Sequence, residues 1–180
     1  LDGYKVILAP SLPIVSRERV QRLAAVDAEL IVGPRTGSKT HTLQIPEGLP
    51  PGPLRARLPL KVTRVESLRP GWVEPGRFPV TRWLEHVETE PETETLAATD
   101  SGHAVWFAAG RSQYLACWPS AALWNAAIEH AAARAGLRLL DLGEDVRLRR
   151  RGGVIFAVNY GPEAVDLAHL LPEVAETDLL

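Results

Sequence analysis

The sequence predicts an α/β fold followed by a small antiparallel β domain, and three patterns support this prediction. Residues 4–9 and 30–32 are short apolar runs of the kind that forms buried parallel strands. A helical pattern lies between these runs, and strand, helix and strand within about 30 residues make a βαβ unit with a right-handed crossover. Beyond residue 140 the pattern changes to alternating segments on either side of Gly152-Gly153, which indicates a hairpin.

The first helix is expected to begin after Ser16, whose side chain suits an N-cap position. Glu18 would then lie in the first turn, where the helix dipole favours an anion. Val20, Leu23 and Ala24 recur at helical spacing and supply an apolar face. This helix would cross from the first strand to the second.

A long loop follows the second strand. Residues 33–52 are rich in Gly, Pro, Thr and Ser, and residues 46–53 indicate a stiff connector. Loops of this length in a compact domain usually carry function or form an interface. Residues 60–65 then alternate between apolar and polar, as a half-buried strand does. The acidic run within residues 82–95 is interpreted as a solvated edge or turn, and it comprises Glu85, Glu88, Glu90, Glu92 and Glu94.

Two further strands precede the clearest helix of the sequence. Residues 104–108 and 113–118 are strand candidates, and the intervening segment 109–112 is typical of a hairpin turn. Ser120 is expected to cap the helix at its start, and Gly136 lies where a C-terminal cap is expected. The apolar face of this helix is predicted to contain Leu123, Ala127, Ile128, Ala131 and Ala135.

The tail of the chain is predicted to begin a separate β domain. Residues 146–150 and 154–158 would be the two strands of its hairpin. Residues 164–167 are a candidate third strand.

Composition argues against membrane-spanning and nucleic-acid-binding proteins. The 180 residues are 46% hydrophobic and 23% charged, with a net charge of −2. No window is long and apolar enough to cross a bilayer, and the start does not resemble a signal peptide. A near-neutral charge balance also argues against a nucleic-acid binder, which would show a basic excess. We therefore expect neither a membrane nor a nucleic acid as a partner.

The chain has a single cysteine and no methionine. Cys117 cannot form an internal disulfide or a cysteine-rich zinc site, and its strand-like surroundings indicate a small buried hydrophobe. The absence of disulfides is compatible with a reducing compartment, so we expect a cytoplasmic protein. Because no methionine is present and Leu1 opens directly into an apolar strand, we expect a segment of a longer protein.

The segment 33–40 matches a phosphate-binding loop, GxxxxGK[ST], except that Ser38 replaces the last glycine. Such a loop must lead into a helix N-terminus, and the residues up to Pro46 are extended in character, so nucleotide binding is not predicted. A polar loop after a parallel strand still lies where α/β sheets bind ligands. We therefore assign a candidate interface or ligand loop, with solvent exposure alone as the alternative; its residues are Arg35, Thr36, Ser38, Lys39 and Thr40.

No catalytic, cofactor-binding or metal-binding residue is predicted. The five histidines lack the paired spacing of a helical zinc motif and do not accompany a plausible nucleophile, so they are interpreted as surface or hydrogen-bonded side chains. They are His41, His86, His103, His130 and His169. No G-x-S-x-G nucleophile elbow occurs.

The five tryptophans divide into two groups. Trp106, Trp118 and Trp124 fall in predicted strands or helices and are expected in the core. Trp72 and Trp83 fall in the irregular middle of the chain and are the better candidates for an interface.

Several ordered segments resemble the β-galactosidases of glycoside hydrolase family 42. Residues 1–11 resemble the entry to the middle domain of that family, and residues 31–40 resemble the segment after its next strand. Residues 49–54 and 64–70 continue the resemblance in order. Residues 149–160 resemble the opening of the small C-terminal β domain of the family. The resemblance runs over almost the whole chain.

This resemblance implies a fold and an assembly role. The middle domain of the family is similar to class I glutamine amidotransferases, with a flavodoxin-like α/β sandwich, and it mediates trimer formation. We therefore expect a homotrimerisation domain over residues 1–141, lacking its first strand and helix. Residues 142–180 would form a small and incomplete C-terminal β domain.

The resemblance also implies that catalysis lies elsewhere. In the family, a preceding (β/α)₈ barrel hydrolyses terminal β-D-galactosides with two glutamates in a retaining mechanism. The acid/base glutamate follows an asparagine there, whereas Asn125 precedes Ala126 and Asn159 precedes Tyr160 here. A galactoside would therefore be a partner only through the missing barrel of a bacterial parent enzyme. The alternative is a stand-alone amidotransferase-like domain that binds a small molecule or an anion.

Overall fold

The chain divides into two compact units, Leu1–Leu137 and Arg138–Leu180. The computed structural model describes residue 1 and residues 3–167, so the predicted role of His169 lies outside the described residues. The elements in chain order are β1 (Val6–Ala9), α1 (Arg17–Ala25), β2 (Glu29–Val32), a 3₁₀-helix (Gly52–Ala56), β3 (Leu60–Ser67), β4 (Trp83–Thr89), β5 (Glu94–Ala98), β6 (Ala104–Ala109), β7 (Ser112–Leu115), α2 (Ala121–Arg134), β8 (Val146–Arg151) and β9 (Val154–Asn159).

A mixed five-stranded sheet in the order β1-β2-β7-β6-β5 is the centre of the first unit. Its first three strands are parallel, and α1 connects β1 to β2, which confirms the predicted βαβ unit. The predicted hairpin is also confirmed, because β6 and β7 pair antiparallel. The β5 strand pairs antiparallel with β6 at the far edge, so two of the four strand pairings are parallel and two are antiparallel.

The core lies on both faces of this sheet. Leu30 and Val32 of β2 pack into one cluster with Leu54 of the 3₁₀-helix, on the side of α1. Ile31 points to the opposite face and packs into a second cluster with Leu123 of α2. Because successive side chains of a strand alternate between faces, a strand buried on both sides must be apolar at each position. This arrangement explains the continuous apolar run at residues 30–32.

The strands β3 and β4 form a two-stranded antiparallel ribbon beside the sheet. The ribbon joins the sheet through the main chain, because the Glu85 N–H donates to Ala116 O at 2.7 Å and the Trp118 N–H donates to Trp83 O at 2.9 Å. The interpretation of the whole acidic run as a solvated edge is therefore wrong at Glu85, which is 2% exposed. The remainder of the run forms β4, a turn and the start of β5.

Arg57, just after the 3₁₀-helix, connects three parts of the first unit. Its guanidinium donates to the carbonyl oxygens of Leu23, Val26 and Ala28, at 2.6 to 2.9 Å, and to Ser112 Oγ at 3.0 Å. Burial lowers the pKa of Arg57, and the nearby Arg111 cation lowers this pKa further. The side chain thus supplies donors to main-chain acceptors in the last turn of α1 and just after it, where a helix leaves carbonyl groups without intrahelical partners.

Glu29, the first residue of β2, is a second buried carboxylate. One of its oxygens accepts from Arg111 Nε at 3.0 Å, and the other accepts from Arg134 Nε at 3.1 Å. Because Arg134 lies in the last turn of α2, this pairing fixes the end of that helix against the sheet. A buried carboxylate needs such partners to offset the cost of leaving water.

The described part of the second unit contains one antiparallel hairpin, β8–β9, in the register Val146↔Asn159 to Arg151↔Val154. Residues 164–167 form no strand, so the predicted third strand is wrong. Among the described residues, no helix is long and apolar enough to span a membrane.

Candidate interaction surface

The carboxyl end of β2 leads into a tightly packed turn. The Gly33 N–H donates to Ala9 O at 2.8 Å, which continues the pairing with β1 beyond the strand. A Cβ atom at position 33 would lie 1.7 Å from Pro10 O, so no side chain fits here. The glycine therefore allows the loop to leave the sheet directly beside the chain that follows β1.

Thr36 braces this turn from the inside. Its hydroxyl donates to Gly33 O at 2.8 Å and accepts from the Leu12 N–H at 3.2 Å. The residue is fully buried. Of the predicted loop residues, Thr36 is therefore the one whose side chain holds the loop from its buried side.

Arg35 has a left-handed backbone, with φ of 65°, which is uncommon for a residue with a side chain. Its N–H donates to Oε1 of Glu85 at 2.9 Å. Its guanidinium lies over the ring of Trp83, 5.5 Å from the ring centroid, which is within the range of a cation–π contact. The strained backbone thus presents a cation on an aromatic face at the protein surface.

Glu85 is the anchor beneath Arg35. Besides the Arg35 N–H, Oε1 accepts from Trp83 Nε1 at 2.9 Å, and Oε2 accepts from the Tyr114 hydroxyl at 2.5 Å. Burial raises the pKa of Tyr114 well above its ordinary value, and the Glu85 charge raises it further. Burial also raises the pKa of the Cys117 thiol to about 12, with Glu85 adding to the effect. The predicted burial of Cys117 is confirmed, and such a thiol is a poor nucleophile.

The loop continues into a compact exposed turn. The Lys39 N–H donates to Pro13 O at 2.9 Å, and the Thr40 N–H donates to Gln44 O at 2.8 Å. Leu43 has a φ of 63° and is 68% exposed, and Ile45 is 80% exposed. Residues 41–51 form no helix, which agrees with the rejection of a phosphate-binding loop. The turn is therefore closed by main-chain hydrogen bonds and exposes the apolar side chains of Leu43 and Ile45 to solvent.

A groove of about 460 Å³ lies between this loop and the β3–β4 ribbon. We call it the basic groove, and its lining residues are Arg35, Ser38, Lys39, Ile45, Leu49, Pro50, Val62, Thr63, Arg64, Val65, Trp83 and Glu85.

The seven candidate residues from the sequence are distributed unevenly around this groove. Four of them line it, namely Arg35, Ser38, Lys39 and Trp83. Thr36 is buried and Thr40 lines a neighbouring depression. Trp72 lies elsewhere on the surface, 49% exposed and beneath the guanidinium of Arg69. The role of these residues stays a prediction.

The other tryptophans follow the prediction only in part. Trp106 is buried and Trp124 packs at the edge of the second core cluster. Trp118 is 44% exposed, so its expected place in the core is wrong. It lies three residues beyond the end of β7, in the segment that leads to α2.

Two histidines, His86 of β4 and His103 just before β6, lie close together. Nε2 of His86 lies 2.6 Å from Oε1 of Glu66, and the rings of His86 and His103 meet edge to face at 5.0 Å. The hydrogen bond from His86 lowers the pKa of Glu66, and the charge of Arg64 contributes to the lowering. Within the described residues, no group of three His, Cys, Asp or Glu is placed to hold a metal ion.

The first unit is therefore an α/β domain with a loop-lined groove at its surface. A family model described as "Beta-galactosidase trimerisation domain" matches residues 1–138. This chain belongs to that family.

Sequence relatives and solved structures agree with this family. The chain is 48% identical over 171 residues to a β-galactosidase of Thermus thermophilus and 50% identical over 171 residues to β-galactosidase BgaA of a Thermus species. Each match covers 92% of this chain and 26% of the relative, so the chain spans about a quarter of the length of these proteins.

Among solved structures, the β-galactosidase of the psychrophilic Marinomonas ef1 matches with a TM-score of 0.82 and 38% identity, over 90% of this chain and 25% of that one. The β-galactosidase of the haloarchaeon Halorubrum lacusprofundi matches with a TM-score of 0.76 and 29% identity, over 88% of this chain and 26% of that one.

Proposed function

We propose that this chain is a non-catalytic assembly segment of a β-galactosidase and that it associates as a homotrimer. The observation that carries the proposal is the match of residues 1–138 to the trimerisation-domain family. The proposal is supported by exposed apolar residues on a hydrogen-bonded loop, because exposed apolar patches mark interaction sites.

The mass of the chain in solution tests the self-association. A homotrimer would have three times the 19.7 kDa of one chain, which light scattering after gel filtration or sedimentation equilibrium resolves. Dilution should then release monomers with a measurable dissociation constant. A mass of one chain at the highest soluble concentration would refute the assembly role of this segment.

We further propose that the parent enzyme hydrolyses terminal β-D-galactosides with residues outside this chain. The relatives that carry the name β-galactosidase are about four times as long as the matched region. The purified 180-residue chain should therefore release no nitrophenol from a nitrophenyl galactoside. Turnover that increases in proportion to the chain and persists through purification would overturn the non-catalytic assignment.

We propose that the first domain, residues 1–141, is a variant of the amidotransferase-like, flavodoxin-type sandwich. The support is the parallel set β1-β2-β7 with helices on opposite faces. Residues 142–180 would then begin a small C-terminal β domain, with the β8–β9 hairpin as its first described element. The buried Cys117 thiol is compatible with a cytoplasmic location.

A further inference from the structure

A ring of three identical chains places a requirement on its contacts. Each chain must use two different surfaces, because a heterologous contact joins one patch of a copy to another patch of the next. Given the proposed homotrimer, on which this inference rests, the first unit should carry two patches of complementary chemistry.

The basic groove has the properties of one such patch. Apolar side chains at its rim are exposed, with Ile45, Leu49 and Val65 the main ones. Arg35 and Lys39 add two cations, and no carboxylate among the described residues forms an ion pair with either. The lining also includes Arg64, which pairs with Glu66, and Glu85, whose carboxylate is buried, so the exposed unpaired charges are the two cations. An apolar surface with unpaired cations fits an acidic partner segment.

A second patch of opposite charge lies at the turn between β4 and β5. We call residues 88–94 the acidic hairpin, since glutamates occupy four of its seven positions. Glu88 and Glu90 are paired with Lys61 and Arg55 of the same chain. Glu92 and Glu94 are exposed, and neither forms an ion pair with another described residue.

The acidic hairpin is closed by three hydrogen bonds to main-chain oxygens. The Glu90 N–H donates to Pro59 O at 2.9 Å, and the Thr93 hydroxyl donates to the same oxygen at 2.9 Å. The Thr93 N–H donates to Glu90 O at 3.0 Å and closes the turn. A rigid segment loses little conformational entropy when it binds, so this hairpin is suited to docking.

The two patches of one chain occupy different parts of the same ribbon. Val62 and Val65 of β3 line the groove, whereas Leu60, the first residue of β3, pairs with Thr89 within the acidic hairpin. Leu60 lies two to five strand positions from these groove residues, which corresponds to roughly 7 to 17 Å. Glu92 and Glu94 follow Thr89 in the chain and are not among the groove's lining residues, so the groove of their own chain does not engage them.

We propose that the acidic hairpin of one copy docks in the basic groove of the next, with Glu92 and Glu94 near Arg35 and Lys39, and that this contact closes the ring. The apolar rim of the groove would exclude water from these charge pairs. Burial of this kind makes charge complementarity effective in selecting the register of an interface.

Charge reversal tests the pairing. The first variant is Arg35→Glu/Lys39→Glu, the second is Glu92→Lys/Glu94→Lys, and the third combines all four changes. Each of the first two should weaken association by at least about tenfold, because like charges would face each other, and the combined variant should recover most of the loss. The matched control, Arg17→Glu/Glu129→Lys, changes exposed charges outside both patches and should associate like the wild type.

The readout is the dissociation constant from sedimentation, with circular dichroism melting to show that each variant is folded. If a charge reversal in the groove lowers the melting temperature, Ile45→Ser is tested in its place. Ile45 is 80% exposed, so this change should leave the fold intact and should also weaken association. A wild-type chain that stays monomeric would refute the proposed function. A wild-type trimer that all variants preserve would refute this contact alone.

Two other outcomes also oppose the proposal. If both reversals dissociate the trimer but their combination does not recover it, both patches contribute without contacting each other. If inorganic sulfate raises the melting temperature of the wild type but not of Arg35→Glu/Lys39→Glu, and association is unchanged, the groove binds a small anion instead.

Discussion

The Tyr114 hydroxyl donates a 2.5 Å hydrogen bond to Oε2 of Glu85. Tyr114 belongs to β7 of the central sheet, and Glu85 belongs to β4 of the ribbon, so this side-chain hydrogen bond joins the ribbon to the sheet. The other oxygen of Glu85 accepts from the Arg35 N–H, which lies in the loop that lines the basic groove. One carboxylate therefore connects the sheet, the ribbon and the groove.

Tyr114→Phe should destabilise the first unit. The substitution keeps the ring but removes the donor to a buried carboxylate, and the expected loss in free energy of unfolding is about 1–3 kcal/mol. Urea unfolding followed by circular dichroism measures this loss. Tyr160→Phe is the control, because Tyr160 is 74% exposed and should change stability little. Equal effects of the two changes would show that the Glu85 contact contributes nothing.

Arg57→Lys should be costly although it preserves the charge. A lysine ammonium cannot reach three carbonyl oxygens and Ser112 Oγ in the fixed geometry of a guanidinium, so about 2–4 kcal/mol of stability should be lost. Arg55→Lys is the matched control, since Arg55 forms an exposed ion pair with Glu90. That pair should contribute less than about 1 kcal/mol. Similar unfolding midpoints for the two variants would contradict the assigned role of Arg57.

Gly33→Ala should prevent normal folding of the loop. The new methyl group would overlap Pro10 O, because the two atoms would be 1.7 Å apart, and main-chain atoms cannot give way cheaply. We expect a low yield of soluble protein or a large fall in melting temperature. Gly48→Ala provides the comparison, since nothing lies within 4 Å of a Cβ atom there. A normal melting curve for Gly33→Ala would mean that the chain after β1 does not pack against β2 as described.

Glu66 should give the ribbon a pH dependence at acidic pH. The pKa of this carboxyl is lower in the folded chain than its ordinary value of 4.5, chiefly through the hydrogen bond from His86. The contribution to stability is therefore present above the unfolded pKa and is lost as pH falls through the folded pKa. Melting curves of the wild type and Glu66→Gln should differ most near neutral pH and converge at acidic pH. Glu129→Gln, at an exposed helix position, should show no such convergence.

The sequence predicts the elements whose signals are local. Apolar runs of strand length, the caps at Ser16 and Ser120, and the turn between β6 and β7 lie within a few residues of the structure that they specify. Each cap depends only on local sequence, because the serine side chain accepts a hydrogen bond from the N–H three residues later. These features therefore follow from propensity and periodicity alone.

The candidate site depends on contacts that no local pattern contains. Glu85 belongs to a run of five glutamates, and only its distant partner Tyr114, 29 residues along the chain, distinguishes it. A weak signal was present, since strand alternation places Glu85 on the same face as Val87, which packs against the core. The place of Arg35 after a parallel strand indicates a candidate from sequence alone, whereas its contact with Trp83 depends on where the ribbon lies.

The position of Glu85 bears on how sequence variation in this family should be interpreted. Its side chain is almost inaccessible, yet it holds the main chain of a surface loop through the Arg35 N–H. If the chain assembles as proposed, a library screened for loss of that assembly would return interior substitutions together with exterior ones. Double-mutant cycles with Tyr114 would separate these two groups, since energetic coupling to Tyr114 identifies a change that acts through the carboxylate.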